Sequence, residues 1–260
     1  MPRAPRHRVS VQRWLFVAGV LFFTGCATRL STVHIGDLEI LTFRHDFANA
    51  HLLSRGGARI LVDSGYGKNA STLDHDLRKA GIDPRTLKAV VVTHAHADHT
   101  GGARWFHDHY GVRVVAGSGD REDFAAGRNG KLCPVGFLGK LRHSKDQAGT
   151  FEPVSADIWI DQATQLGPLV GFDALVVPYA SHTPGSLVVV TNGVALVGDL
   201  FRGAAIGSTA EPHFFMCDLA ANRADIQRLL SSDGKDATQF FTGHFGPVAR
   251  DAVEHRFGSH

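Results

Sequence analysis

Short apolar runs rich in valine, leucine and isoleucine recur along the chain, each bounded by glycine, aspartate, asparagine or proline. Runs of this length and punctuation predict strands, at residues 38–43, 59–63, 89–93, 113–116, 157–161, 174–178, 187–191, 194–197 and 238–241. Asn192-Gly193, between two of them, is the strongest hairpin signal in the chain. Helical spacing and boundary residues predict helices at 71–80, closed by Gly81, and at 103–110, 220–230 and 248–257. Strands interleaved with helices give an α/β fold. The stretch 117–151 breaks the pattern, mixing charges and glycines with apolar Phe124, Leu132, Phe137, Leu138 and Leu141. A substrate-facing lid and a plain surface insertion both fit a connection of that length.

Composition changes this picture at the N-terminus. Arg3, Arg6, Arg8 and Arg13 precede the apolar stretch 14–23, which is too short to span a bilayer as a helix. That is the plan of a secretory signal over 1–25. Phe23-Thr24-Gly25-Cys26 resembles a bacterial lipobox with Cys26 as the lipidated residue, although leucine is usual where Phe23 stands. The expectation is a lipoprotein anchored in the cell envelope, outer membrane before inner, or a secreted or periplasmic protein if Cys26 is not lipidated. Residues 26–260 then form one domain, and 43% hydrophobic content suffices for a single core. Removing the four arginines from 27 basic residues leaves 23 against 25 acidic ones, a net charge of about −2 in place of +2. No Lys/Arg stripe remains, which argues against a nucleic-acid partner. Cys133 and Cys217 are left as a disulfide or as two free thiols.

The densest chemistry lies in Thr93-His94-Ala95-His96-Ala97-Asp98-His99-Thr100-Gly101-Gly102, directly after a predicted strand. Three imidazoles and a carboxylate within six positions suit a borderline metal ion better than a core, where each polar group must be paired. A loop at the carboxyl end of a strand is also where open α/β sheets place their sites. A solvated histidine-rich loop is the bland alternative.

His-x-His-x-Asp-His after an apolar strand resembles the metallo-β-lactamase-fold hydrolases, and further pieces follow in order. Leu61-Val62-Asp63-Ser64-Gly65 is similar to the first motif of that family, with Asp63 as an outer carboxylate. Ser181-His182-Thr183-Pro184-Gly185-Ser186, Gly198-Asp199 and Thr242-Gly243-His244-Phe245-Gly246 resemble the later ones. The resemblance implies a four-layer αββα sandwich with its site on one rim. It implies that His94, His96 and His182 hold one ion, that Asp98, His99 and His244 hold another, and that Asp199 bridges them. Seven N and O donors are too many for one tetrahedral zinc and suit two ions sharing a bridge. The implied activity is hydrolysis of an ester, lactone, thioester or β-lactam by a zinc-generated hydroxide, with Asp98 as the catalytic carboxylate and iron or manganese as other metals.

The substrate is a small molecule of unassigned identity. The lysine and tyrosine that glyoxalase II enzymes place after the bridging aspartate are absent from 206–211. Arg202 is the candidate clamp for an anionic substrate group, with a surface role as the alternative. A mononuclear iron enzyme resembling the persulfide dioxygenases, a β-lactamase proper, and a noncatalytic envelope protein are the competing readings. His107 and His109 read as exposed helix residues. His34, His45, His51, His75, His143 and His213 lack ligand-like spacing, with His213 the hardest to dismiss.

Overall fold

The computed structural model describes residues 29–258; the predicted signal, Cys26 and the last two residues lie outside them. The first sheet runs in spatial order through β1 (Arg29–Ile35), β2 (Leu38–His45), β3 (Ala48–Arg55), β4 (Ala58–Val62), β5 (Leu87–Val91), β6 (Arg113–Gly117) and β7 (Ile158–Ile160). Neighbours are antiparallel from β1 to β4 and parallel from β4 to β7. The parallel pairs need crossovers, and these carry α1 (Ala70–Lys79), α2 (Ala97–Thr100), α3 (Ala103–Tyr110), α4 (Arg121–Ala126) and α5 (Gly136–Gln147).

The second sheet uses β8 (Thr164–Gln165), β9 (Leu175–Pro178), β10 (Leu187–Thr191) and β11 (Val194–Gly198), with α6 (Gly167–Val170) between the first two. A separate two-stranded ribbon follows, β12 (Arg202–Gly203) with β13 (Ala210–Glu211). Then come α7 (Leu219–Ser231), β14 (Gln239–Thr242), β15 (Val248–Ala249) and α8 (Arg250–Phe257). The spatial order is β15-β14-β11-β10-β9-β8. Asn192 and Gly193 both take positive φ, 46° and 75°, as the tight β10–β11 hairpin demands.

Alternation along each strand makes the layers. In β2, Leu38 and Ile40 face the second sheet while Leu41 and Phe43 face the helices; in β4, Ile60 and Val62 face inward and Leu61 outward. The inner layer joins these residues to Val176, Leu187, Val189, Leu196 and Phe241 of the second sheet. Outside the first sheet, Leu73 and Leu77 of α1 pack with Phe106 of α3. Outside the second, Ile226 and Leu229 of α7 pack with Val253 and Phe257 of α8. The architecture is the αββα sandwich.

Three departures from the predicted elements have physical causes. Strands β1 and β3 were not expected; β3 reads Ala-Asn-Ala-His-Leu-Leu-Ser-Arg, and its buried Asn49 and His51 interrupt the apolar pattern. The last helix begins at Arg250, because 248–249 pair with β14. The stretch 117–151 is ordered into α4 and α5, with Phe124 and Leu132 buried and Phe137, Leu138 and Leu141 exposed on α5. A Cys133–Cys217 disulfide ties the root of α5 to the loop ahead of α7.

Candidate metal centre

Strands β4, β5, β6, β9, β11 and β14 all end at the same rim, and each leads into a loop carrying a polar side chain of the site. Asp63 follows β4, His94 to His99 follow β5, His182 follows β9, Asp199 follows β11 and His244 follows β14. Glycine is required where these loops pass closest: a Cβ on Gly243 would collide with Asp199 Oδ1 and His99 Cε1.

Seven sequence-predicted donors converge there. His94, His96, His182 and Asp199 offer one atom each to a common point, as do Asp98, His99 and His244. His96 presents Nδ1, 2.9 Å from His94 Nε2 and 3.2 Å from His182 Nε2. Asp199 Oδ2 lies between the groups, 3.7 Å from His94 Nε2, 3.7 Å from His182 Nε2, 3.4 Å from His99 Nε2 and 3.3 Å from His244 Nε2. Asp98 Oδ2 is 3.3 Å from His244 Nε2.

Outer contacts set the ring orientations. Asp63 accepts from Thr93 N at 2.7 Å, from Thr93 Oγ1 at 2.9 Å and from His99 Nδ1 at 2.8 Å. These three bonds hold Asp63 at φ 60°, a left-handed conformation that costs an aspartate on the order of 1–3 kcal/mol. His182 Nδ1 donates to Phe215 O at 3.1 Å and His244 Nδ1 to Phe47 O at 2.7 Å. With Nδ1 committed, Nε2 of each ring faces the centre, the arrangement a metal ligand needs. His99 Nε2 and Asp199 Oδ1 are buried with no hydrogen-bond partner among the described residues. The donor set fits a cation.

Charge divides the two groups. Burial pushes His94, His96 and His182 below the ordinary imidazole range, the last to about 3, so they stand as neutral donors. Burial acts the same way on His99 and His244, but the carboxylates of Asp199 and Asp98, joined at His99 by Asp63, overturn it and hold both above that range. Positive charge is favoured on that side.

The structure also recruits residues that the sequence did not place among the donors. His213 is buried, with Nε2 3.0 Å from Asp199 Oδ2. Its only sequence signal was its place in a loop near the site, after Asp199. Asp120, after β6, accepts from Ala95 N, Thr183 Oγ1 and Gly185 N, tying the β5 and β9 loops together. Asn49 donates to Thr242 O and Phe245 O, and His51 to Thr242 O at 3.1 Å, pinning the His244 loop to β3. Arg202 stays outside the donor cluster; its guanidinium lies 4.2 Å from the Phe214 ring centre and donates to Gly203 O. His107 and His109 remain on the face of α3, away from the centre.

Comparison with known proteins agrees with the geometry. A family model described as the metallo-beta-lactamase superfamily matches residues 44–244. A hydroxyacylglutathione hydrolase of Haemophilus influenzae is 27% identical over 150 residues, 56% of this chain and 60% of that protein. A ribonuclease of Thermus thermophilus is 31% identical over 155 residues, 56% of this chain and 32% of its own length. The chain thus spans only part of these relatives. Among solved structures, the subclass B3 metallo-beta-lactamase BJP-1 of Bradyrhizobium japonicum superposes with a TM-score of 0.61 at 17% identity, covering 84% of this chain and 79% of that one. MIM-1 of Novosphingobium pentaromativorans gives 0.61 at 17% identity, covering 93% and 90%. With the matched region spanning every one of the seven predicted donors, the chain belongs to the metallo-beta-lactamase superfamily.

Proposed function

We propose that the protein is a dinuclear zinc hydrolase of a small-molecule ester, lactone, thioester or β-lactam. The observation that carries this is the convergence of seven donors into two groups, His94, His96, His182 and Asp199 in one and Asp98, His99 and His244 in the other, with Asp199 Oδ2 also 3.4 Å from His99 Nε2 and 3.3 Å from His244 Nε2. His94, His96 and His182 would hold one ion, Asp98, His99 and His244 the other. Bound there, two zinc ions supply Lewis acidity toward a carbonyl and a water acidic enough to ionise near neutral pH.

The chain's own residues do the rest. Phe215 O, Phe47 O and Asp63 hold His182, His244 and His99 with their donor atoms inward. The side chain of Asp98 is 17% exposed, against 2% for Asp199, so Asp98 is the carboxylate at the open side, placed to orient an incoming water and take its proton. Arg202 Nε is buried without a hydrogen-bond partner among the described residues, and Phe214 beneath the guanidinium is the neighbour of His213. That supports Arg202 as the holder of an anionic substrate group.

An extracytoplasmic address belongs to the same reading, supported by the Cys133–Cys217 disulfide, since such bonds persist in oxidising compartments. Helix α5 is the lid of this reading, with Phe137, Leu138 and Leu141 exposed and Arg142 reaching 5.6 Å from the Phe47 ring centre. The test is metal analysis of the purified chain together with turnover on β-lactam, lactone, thioester and aryl-ester substrates. Two zinc ions per chain and turnover abolished by His182→Ala are expected. One iron per chain, or full turnover in that variant, would sink the proposal.

A further inference from the structure

We infer that His213 is an additional metal ligand, completing the position formed by Asp98, His99 and His244; the inference rests on the two-ion reading above. His213 lies between β13 and α7, 4% exposed, in the same buried pocket as the other imidazoles. Its Nε2 groups with Asp199 and His244 as a third set of converging donors. The ring stacks on His244 with centroids 5.3 Å apart and 20° between planes, and meets His182 edge-on at 4.9 Å.

Donor spacing favours ligation on the His244 side. Two ligand atoms about 2.0–2.2 Å from one ion, at angles near 90–110°, lie about 3–3.5 Å apart. The Asp199 Oδ2 separations to His213, His244 and His99 are 3.0, 3.3 and 3.4 Å, inside that range. Those to His94 and His182 are both 3.7 Å. Oδ2 therefore leans toward the group that His213 would join.

The far side of the ring is wired as in its neighbours. His213 Nδ1 is 3.2 Å from Phe215 O, the carbonyl that also receives His182 Nδ1. One carbonyl has two lone pairs and can orient both imidazoles with Nε2 inward. Phe215 N approaches the same Nδ1 at 3.3 Å, and if that contact prevailed Nε2 would carry the proton and merely donate to Asp199. Both contacts are long, so what faces Nε2 decides the tautomer, and a cation there selects the ligand form. With Asp199 shared, Asp98, His99, His213 and His244 would bring five protein donors to this position, more than a tetrahedral site uses, so it would suit a cation that accepts five or six ligands.

Cobalt substitution tests this without relying on turnover. Proton NMR of the cobalt-loaded full chain should show six strongly shifted, exchangeable imidazole N–H signals, one for each ligating histidine including His213. His213→Ala should bind its second cobalt at least about tenfold more weakly in chelator competition and lose one of the six signals. A wild-type chain that takes up two cobalt ions but shows only five signals overturns the inference and leaves the two-ion reading standing. The same holds if His213→Ala keeps its affinity. A wild-type chain that cannot take up two ions overturns both. Because the signal count is made on the wild type, the test survives a variant that fails to fold.

Discussion

The two sheets build the centre in different ways. The first contributes four donors from one loop, His94, His96, Asp98 and His99, backed by Asp63 at the end of the adjacent parallel strand. The second contributes His182, Asp199 and His244 from three separate loops, with His213 arriving on a fourth. One side is fixed by a few covalent bonds, with Asp63 and Asp120 bracing the loop. The other depends on tertiary contacts that hold distant loops together: the 133–217 disulfide, Phe215 O under His182, and β3 of the first sheet under the His244 loop. A centre built this way should fail abruptly when the first side loses a donor, and by degrees when the supports of the second are loosened.

The largest effect is expected from the compact side. Asp98→Ala removes both a donor and the most exposed carboxylate of the centre, and turnover should fall by on the order of 10³-fold, about 4 kcal/mol of transition-state stabilisation. Steady-state kinetics with whichever substrate the panel identifies would check it. A drop of less than tenfold would mean that the contiguous run is not where the chemistry is done.

Next comes the disulfide, which supports only the dispersed side. The bond joins residues 84 apart, and its removal in a Cys133→Ser, Cys217→Ser double variant should cost roughly 3 kcal/mol in denaturant unfolding. Cys217 is two residues from Phe215, whose carbonyl orients His182, so the affinity for the ion at His182 should weaken as well. Unchanged metal affinity in the double variant would show that Phe215 is held by its own strand-like contacts alone, Pro134 pairing with Phe215 and Val135 N bonding to Phe214 O.

How far the two sides could be read from sequence follows from the same contrast. The first side was legible because its donors are contiguous and an apolar strand precedes them. Asp199 and His244 were legible only through the resemblance, each standing alone in an ordinary strand-end pattern. His213 had no such pattern, and Asp120, Asn49 and His51 act through bonds to backbone groups many residues away, which no local spacing encodes. The missed strand is instructive: β3 was passed over because it carries buried Asn49 and His51, and those two side chains are what tie the sheets together at the site. Polar residues that obscure an element in sequence here mark its function in the fold.

That tie should be sensitive to acid. Burial lowers His51 from about 6.5 to about 4, because its ring is fully enclosed; the bond from Nε2 to Thr242 O acts the other way and offsets only part of this. A histidine depressed in the folded state contributes stability at neutral pH, and the contribution is lost as pH falls from about 6.5 toward 4, where the unfolded chain binds the proton and the folded chain does not. The loss amounts to roughly 3 kcal/mol. Denaturant unfolding of wild type and His51→Gln at pH 7 and pH 4.5 isolates this term, since all other titrating groups are common to both. Parallel losses in the two proteins would mean that His51 does not carry the acid sensitivity of the seam.

The smallest effect returns to the compact side and asks how much of its order is due to one outer carboxylate. Asp63→Asn keeps an oxygen for Thr93 N but places an amide N–H₂ where His99 Nδ1 now donates. Two donors then face each other, and the imidazole relieves the conflict by moving its proton to Nε2, the atom that the ion requires. Metal affinity should fall about 10- to 100-fold at the position shared by Asp98, His99 and His244, while the ion at His94, His96 and His182 stays bound. Chelator competition resolves the two steps. An equal loss at both ions would mean that Asp63 works through Thr93 and the whole β5 loop rather than through the tautomer of His99. The compact side would then rest on its support as heavily as the dispersed side does on the disulfide.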